Sequence, residues 1–207
     1  MISVVDGGFG NVGSIINMMR YLGINAQSVS DPNALRAAER VILPGVGAFD
    51  NGMTRLEERG LIDALHHVVL ERKRPILGIC LGMQLLLEGS DEGSLRGLGW
   101  IKGRCIRFQS SDDQVRLRIP NMGWSEITVA QSSLLRHSDS DSARYYFVHS
   151  YHAQCTDRSD VAATASHGIT FTAAVEHDNI FGVQFHPEKS HRFGMKLFEA
   201  FAKVDSA

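Results

Sequence analysis

The chain has 207 residues, 43% of them hydrophobic, enough for one sizeable core. A formal net charge of -2 excludes a broadly basic surface for nucleic acid, and the run Glu71-Arg72-Lys73-Arg74 reads as the solvated end of a helix. No apolar stretch approaches the roughly 18 residues of a membrane span, and three scattered cysteines, Cys80, Cys105 and Cys155, fit neither a disulfide framework nor a zinc site.

The first ninety residues alternate between strand and helix patterns. Ile2–Val5 is a short apolar strand, and Asn11–Leu22 carries Val12, Ile15, Ile16, Met19 and Leu22 at helical spacing. Gln27–Val29 is a second strand. Asp31-Pro32 supplies an N-cap and a first-turn proline for a short helix. Val41–Leu43 is a third strand that ends in Pro44-Gly45-Val46-Gly47. A helix over Leu61–Leu70 follows, then a strand over Pro75–Ile79 that runs into Cys80, then a helix over Met83–Leu87. Such βα units imply a parallel sheet covered on both faces.

The second half reads as strands separated by turns. They are Trp100–Phe108, Val115–Ile119, Glu126–Val129, Arg144–Val148, His152–Cys155, Val161–Ala165, Phe171–Val175 and Ile180–Gln184. These predict antiparallel additions to the sheet. Ser138–Ser142 reads as a surface loop, and Phe193–Phe201 as a closing amphipathic helix. The N-terminus enters a strand with no basic leader, so the expectation is a cytoplasmic protein with reduced thiols.

One early motif points elsewhere. Gly8-Phe9-Gly10-Asn11-Val12-Gly13 formally matches the G-x-G-x-x-G dinucleotide fingerprint. The match fails on its surroundings. Asp6 would stand at the strand end and repel a pyrophosphate, and Asp31 is accounted for as a helix cap. No cofactor is expected.

The segment that carries chemistry is Gly78-Ile79-Cys80-Leu81-Gly82. A nucleophile between flanking glycines, after an apolar strand and before a helix, has the context of a nucleophile elbow. The helix start would favour a thiolate, and the Leu81 N–H could bind an oxyanion. A base is offered by His186-Pro187-Glu188, directly after the strand ending near Phe185. Two residues apart in extended chain, His186 and Glu188 point the same way, so the carboxylate can orient the imidazole. The turn at Pro44–Gly47 could turn a second amide toward the site. A metal centre on Cys80, His186 and Glu188 lacks further ligands in a recognisable pattern, so no metal is expected.

Together, Leu43–Gly47, Gly78–Leu86 and Gly182–Ser190 resemble the class I glutamine amidotransferases in residues, order and spacing, across essentially the whole chain. Pro120-Asn121-Met122-Gly123-Trp124, Tyr146–Tyr151 and the opening Asp6–Asn11 are similar, within that class, to the glutaminase subunits of imidazole glycerol phosphate synthases. The resemblance implies a three-layer, flavodoxin-like α/β fold with a mostly parallel central sheet and added antiparallel strands, in one domain over residues 1–207. It implies a triad of Cys80, His186 and Glu188, and an oxyanion hole from the Val46 and Leu81 amides. Gly47, Gln84, Ser150 and Tyr151 would hold glutamine. The implied partner is a (βα)8-barrel cyclase that receives the ammonia in histidine biosynthesis, with Asn11, Trp124 and Lys189 on its side of the molecule. Nucleic acid and membrane are not expected partners.

The sequence departs from that pattern at Gly7, Asn121, Ser125 and His191, on the partner-facing side. The departures leave a second reading open, a paralogue that supplies ammonia for surface-sugar amidination. A partner-independent γ-glutamyl or cysteine hydrolase is the third.

Overall fold

The computed structural model describes residues 1–109, 117–135 and 143–204. In chain order, β1 (Ile2–Val5), α1 (Val12–Tyr21), β2 (Ala26–Val29), α2 (Pro32–Arg36) and β3 (Val41–Gly45) come first. They are followed by α3 (Phe49–Glu58), α4 (Leu61–His66), β4 (Ile76–Cys80), α5 (Leu81–Leu85) and β5 (Leu87–Ser90). The second half holds β6 (Ile101–Arg107), β7 (Asn121–Glu126), β8 (Thr128–Val129), β9 (Arg144–His149), β10 (Tyr151–Cys155), β11 (Val161–His167), β12 (Ile169–His177), β13 (Ile180–Val183) and α6 (His191–Ala202).

The strands β2-β1-β3-β4-β13 pair in parallel and form the centre of the main sheet. Beyond β13, the strands β12, β10 and β6 continue antiparallel, and β5 closes the edge parallel to β6. β7 and β9 make a separate two-stranded antiparallel ladder. The pleat sorts the central side chains onto two faces. Ile2, Val4, Ile42, Leu77 and Ile79 pack with Ile15 and Met19 of α1 and with Leu197, Phe198 and Phe201 of α6. Val5, Val41, Leu43 and Ile76 pack with Leu35, Leu56, Leu61 and Leu65 of α2 to α4. This is the expected three-layer α/β arrangement. Leu197, Phe198 and Phe201 are fully buried, each contributing about 1.5–3 kcal/mol to the docking of α6.

Local signals set the first helices. The Asn11 side chain accepts from the Ser14 N–H to cap α1, and the Asp31 carboxylate accepts from the Ala34 N–H to cap α2. Several elements differ from the sequence expectation. The helix expected at Met83–Leu87 begins directly after Cys80 and stops at Leu85, because the chain turns at Leu86 into β5. The α3 helix was not anticipated. The helix after Gly60 continues past His66 as a wider π turn through Glu71. The strand expected over Glu126–Val129 breaks at Ile127 between β7 and β8. Of the strand expected at Val115–Ile119, residues 115 and 116 lie outside the described residues, and Leu117–Ile119 are not in a strand. The loop expected at Ser138–Ser142 also lies outside the described residues. No helix among the described residues is long and apolar enough to cross a membrane.

Candidate active site

Because β1, β3, β4 and β13 run parallel, their carboxyl ends open on one edge of the sheet, where open α/β sheets place reactive groups. That edge receives the opening turn after β1, the Gly45-Val46-Gly47 turn after β3, Cys80 at the end of β4, and His186 just beyond β13.

Cys80 holds φ 54° and ψ -109°, an unusual backbone conformation for a residue with a Cβ. Its neighbours make that turn possible. A side chain on Gly82 would run into the Leu43 carbonyl, and one on Gly78 into the Gly82 backbone. The two glycines therefore let β4 fold sharply into α5 against β3. Cys80 is 93% covered and opens on a cavity of about 500 Å³.

Val46, Gly47, Leu81, Gln84, Ser150, Tyr151, His186 and Lys189 line the same cavity as Cys80. His186 Nδ1 donates to Glu188 Oε1 at 2.8 Å, with both side chains 98% buried. Glu188 thus stands behind the imidazole. His186 Nε2 makes no hydrogen bond of regular geometry and interacts with the Cys80 thiol. Burial opposes a charge on His186, but the nearby Cys80 sulfur and the hydrogen bond to the Glu188 carboxylate outweigh it, and the imidazole is pushed up to about 9. The ring is therefore held as an imidazolium near neutrality.

The Ser190 hydroxyl fixes the main chain of this segment. It donates to the His186 carbonyl at 2.6 Å and accepts from the Tyr146 N–H at 3.0 Å, while the His186 N–H donates to the Tyr146 carbonyl at 2.9 Å. Phe185, fully buried, stacks on Tyr145 at 3.8 Å between ring centroids. The histidine is thus tied to β9 through backbone, hydroxyl and ring contacts.

The two amides expected to bind an oxyanion are in different situations. Leu81 follows Cys80 at the start of α5. The Val46 N–H is already spent, donating to the Phe9 carbonyl of the opening turn at 2.6 Å. Gly47, next in the chain, has φ +101°, a conformation that favours glycine.

Of the three residues expected on the partner side, two come together. Lys189 Nζ lies over the Tyr146 ring at 5.7 Å, and Trp124 meets the same ring edge-on at 6.3 Å. Trp124 is also stacked on His191, with centroids 5.5 Å apart and planes 4° from parallel. His191 sits at φ +46°, so this departure from the family pattern places an imidazole where glycine is the unstrained choice. Asn11 is exposed and serves as the α1 cap; it belongs to the opening turn that holds Val46.

Sequence reasoning left Gln184, His149 and Glu92 without roles. Gln184 is fully buried and within 3.7 Å of the Cys80 sulfur. His149 lines the cavity from the end of β9. The Glu92 carboxylate accepts from the Phe49 N–H at 2.9 Å and caps α3 from the far side of the cavity. Gln184 stands within one of the motif segments, and a polar residue between Val183 and Phe185 in an apolar strand was the available signal.

The family model for class I glutamine amidotransferases matches residues 3–204. An imidazole glycerol phosphate synthase subunit HisH 2 of Methanococcus maripaludis is 48% identical, covering 98% of this chain and 99% of that protein. The subunit of the same name in Pseudomonas aeruginosa is 43% identical, covering 99% and 100%. The HisH subunit of Leptospira borgpetersenii is 42% identical over the same shares. Among solved structures, a glutamine amidotransferase superposes with TM-score 0.75 at 19% identity, covering 99% of this chain and 100% of that one. PurLQS from Thermotoga maritima does so with TM-score 0.74 at 19% identity, covering 97% and 96%. At that identity the structures speak for the fold; together with the family model and the full-length relatives, they establish that this chain belongs to the class I glutamine amidotransferases, in the branch of the imidazole glycerol phosphate synthase HisH subunits.

Proposed function

We propose that the chain hydrolyses glutamine to glutamate and ammonia with Cys80, His186 and Glu188, and delivers the ammonia to a (βα)8-barrel cyclase subunit in histidine biosynthesis. The observation that carries this reading is the buried His186–Glu188 pair set against a cysteine on a strained turn, all at one cavity. The Cys80 sulfur attacks the carboxamide carbon of glutamine. His186 then gives its proton to the departing nitrogen, the C–N bond breaks, and ammonia leaves a glutamyl thioester. A water molecule attacks the thioester, His186 takes its proton, and glutamate departs with the cysteine regenerated.

Gly47, Gln84, Ser150 and Tyr151 hold the substrate in this scheme. The developing oxyanion takes the Leu81 N–H first. It takes the Val46 N–H only after that amide leaves the Phe9 carbonyl, so glutamine turnover is slow until the partner binds. Loss of one oxyanion donor typically costs on the order of 10²–10³ in turnover.

The partner docks on the face bearing Val46, Met122 and Trp124, whose exposure of 46%, 63% and 40% is high for large apolar side chains. Asn11 and Lys189 flank it. The protein works in the cytoplasm, as one domain, on small-molecule substrate and protein partner only.

Glutaminase assays with and without the purified barrel subunit and its nucleotide ligand test the reading. Turnover should rise by orders of magnitude in the complex and vanish in Cys80→Ala. Equal turnover with and without the partner would favour a partner-independent hydrolase. A complex formed only with a different barrel subunit would favour the surface-sugar reading.

A further inference from the structure

A chain of polar contacts runs behind the cavity to the nucleophile, and its direction can be read from groups whose roles are fixed. The Tyr151 carbonyl can only accept. Gln84 lies 3.1 Å from it through Nε2, so that end of the Gln84 amide is the NH₂ group. The same Nε2 lies 3.0 Å from Gln184 Oε1 and donates its second hydrogen there. The Gln184 amide is thereby oriented, and its own NH₂ points at the Cys80 sulfur, 3.7 Å away.

The Tyr151 carbonyl is anchored from the other side as well. His149 Nδ1 lies 2.8 Å from it and must donate, which leaves Nε2 to accept from Asn121 Nδ2 at 3.0 Å. Burial keeps His149 neutral by pulling it down to about 3, so this tautomer does not change near neutrality.

We propose that Gln184 is a positioning residue for the reaction, donating a side-chain N–H to the Cys80 sulfur and stabilising its thiolate, with the donor polarity fixed by the Tyr151 carbonyl through Gln84. The inference rests on the reading of Cys80 as nucleophile. A donor aimed at sulfur gains strength when the sulfur is anionic, because hydrogen bonds to charged acceptors are about twice as strong as neutral ones. It also supplies what α5 lacks. A helix of only five residues sums few peptide dipoles, so the expected help from the helix start is small.

The test is the pH dependence of Cys80 alkylation by iodoacetamide in the full chain, located by peptide mass spectrometry. The other thiols compete poorly, because burial pushes Cys155 up to about 11 and Cys105 well above its ordinary value. Gln184→Met keeps the volume and removes the donor. Its Cys80 alkylation at neutral pH should fall roughly tenfold, with the profile displaced to higher pH. Gln184→Glu should fall further. A Gln184→Met profile superimposed on the parent's overturns the proposal.

In the unmutated chain, the Gln184 side-chain amide resonance in a nitrogen NMR spectrum should move over the same pH range as the alkylation rate. A resonance that stays fixed overturns the proposal without requiring either variant to fold. Glutamine turnover in Cys80→Ala separately reads the nucleophile assignment. Alkylation that responds to Gln184→Met in a chain without glutaminase activity even in complex with the barrel subunit and its ligand would uphold the donor and sink that assignment.

Discussion

Glu188→Gln changes one charge at a position enclosed by protein, and its consequence can be worked through from the site. The imidazole of His186 is raised from 6.5 to about 9 against the opposition of burial. At about 1.4 kcal/mol per unit, the cysteine and glutamate together give the imidazolium an advantage of a few kcal/mol. Glutamine at 188 removes the carboxylate's share and can turn its NH₂ toward Nδ1, which would select the wrong tautomer. The kcat of the partner-activated enzyme should fall on the order of 10²–10⁴, by analogy of role with other triads. Glu188 does not line the cavity, so the KM for glutamine should stay within about twofold. The alkaline limb of the kcat profile should also move to lower pH, because the imidazolium would deprotonate sooner. The assay is steady-state glutamate release with saturating partner across pH. A kcat within about threefold of the parent's, or a loss confined to KM, refutes the orienting role.

Other outcomes concern the stability of the fold. Asn179 Nδ2 donates to the Val69 and Arg74 carbonyls at 2.9 and 2.8 Å, at the opposite end of β13 from His186. Asn179→Ala should cost about 1–3 kcal/mol and lower Tm by roughly 2–10 °C, with turnover at low temperature unchanged. Gly82→Ala drives a methyl into the Leu43 carbonyl, and thermal unfolding should register a loss of at least about 1–3 kcal/mol. The pH dependence of stability should be bounded on both sides by histidines. His149, depressed to about 3, contributes stability that is complete above its unfolded value near 6.5 and is lost as pH falls toward 3. His186, raised to about 9, contributes stability that is complete below 6.5 and is lost as pH rises through 9. Urea midpoints between pH 4 and 10 check both limbs (about 2 points per unit suffices), and His149→Gln should flatten the acid one.

What could be read from the sequence was local. The strands of the central sheet, the cap at Asp31, and the turn at Cys80 each announce themselves within a few residues. Elements stabilised at long range did not. The α3 helix begins at Phe49 after Ala48, which offers no capping side chain, and takes its cap from Glu92; its Asp50 is engaged by Ser94 and Leu95. The run Met83–Leu87 is apolar but for Gln84 and only five residues long, so periodicity could not show that it holds a helix end and a strand start. Gln184 was visible as a polar residue in an apolar strand, but its partners, Cys80 and Gln84, are about a hundred residues away in the chain. Gly47, Gln84, Ser150 and Tyr151 were legible as pocket residues through resemblance, not through any spacing of their own.

The hydrogen bond between the Phe9 carbonyl and the Val46 amide puts restraint and chemistry in separate stretches of sequence. The acceptor sits in the opening turn, far ahead of Cys80 and farther still from His186. If the Val46 amide serves the oxyanion as proposed, natural selection can adjust how much glutamine is wasted in the absence of a partner by editing residues 7–11, with no change to any group that makes or breaks a bond. A duplicated copy can change allegiance by the same route. On the same reading its idle rate and docking face can drift while its catalytic competence is inherited intact, and divergence among such copies should accumulate at the opening turn and around His191 before it reaches the proposed triad.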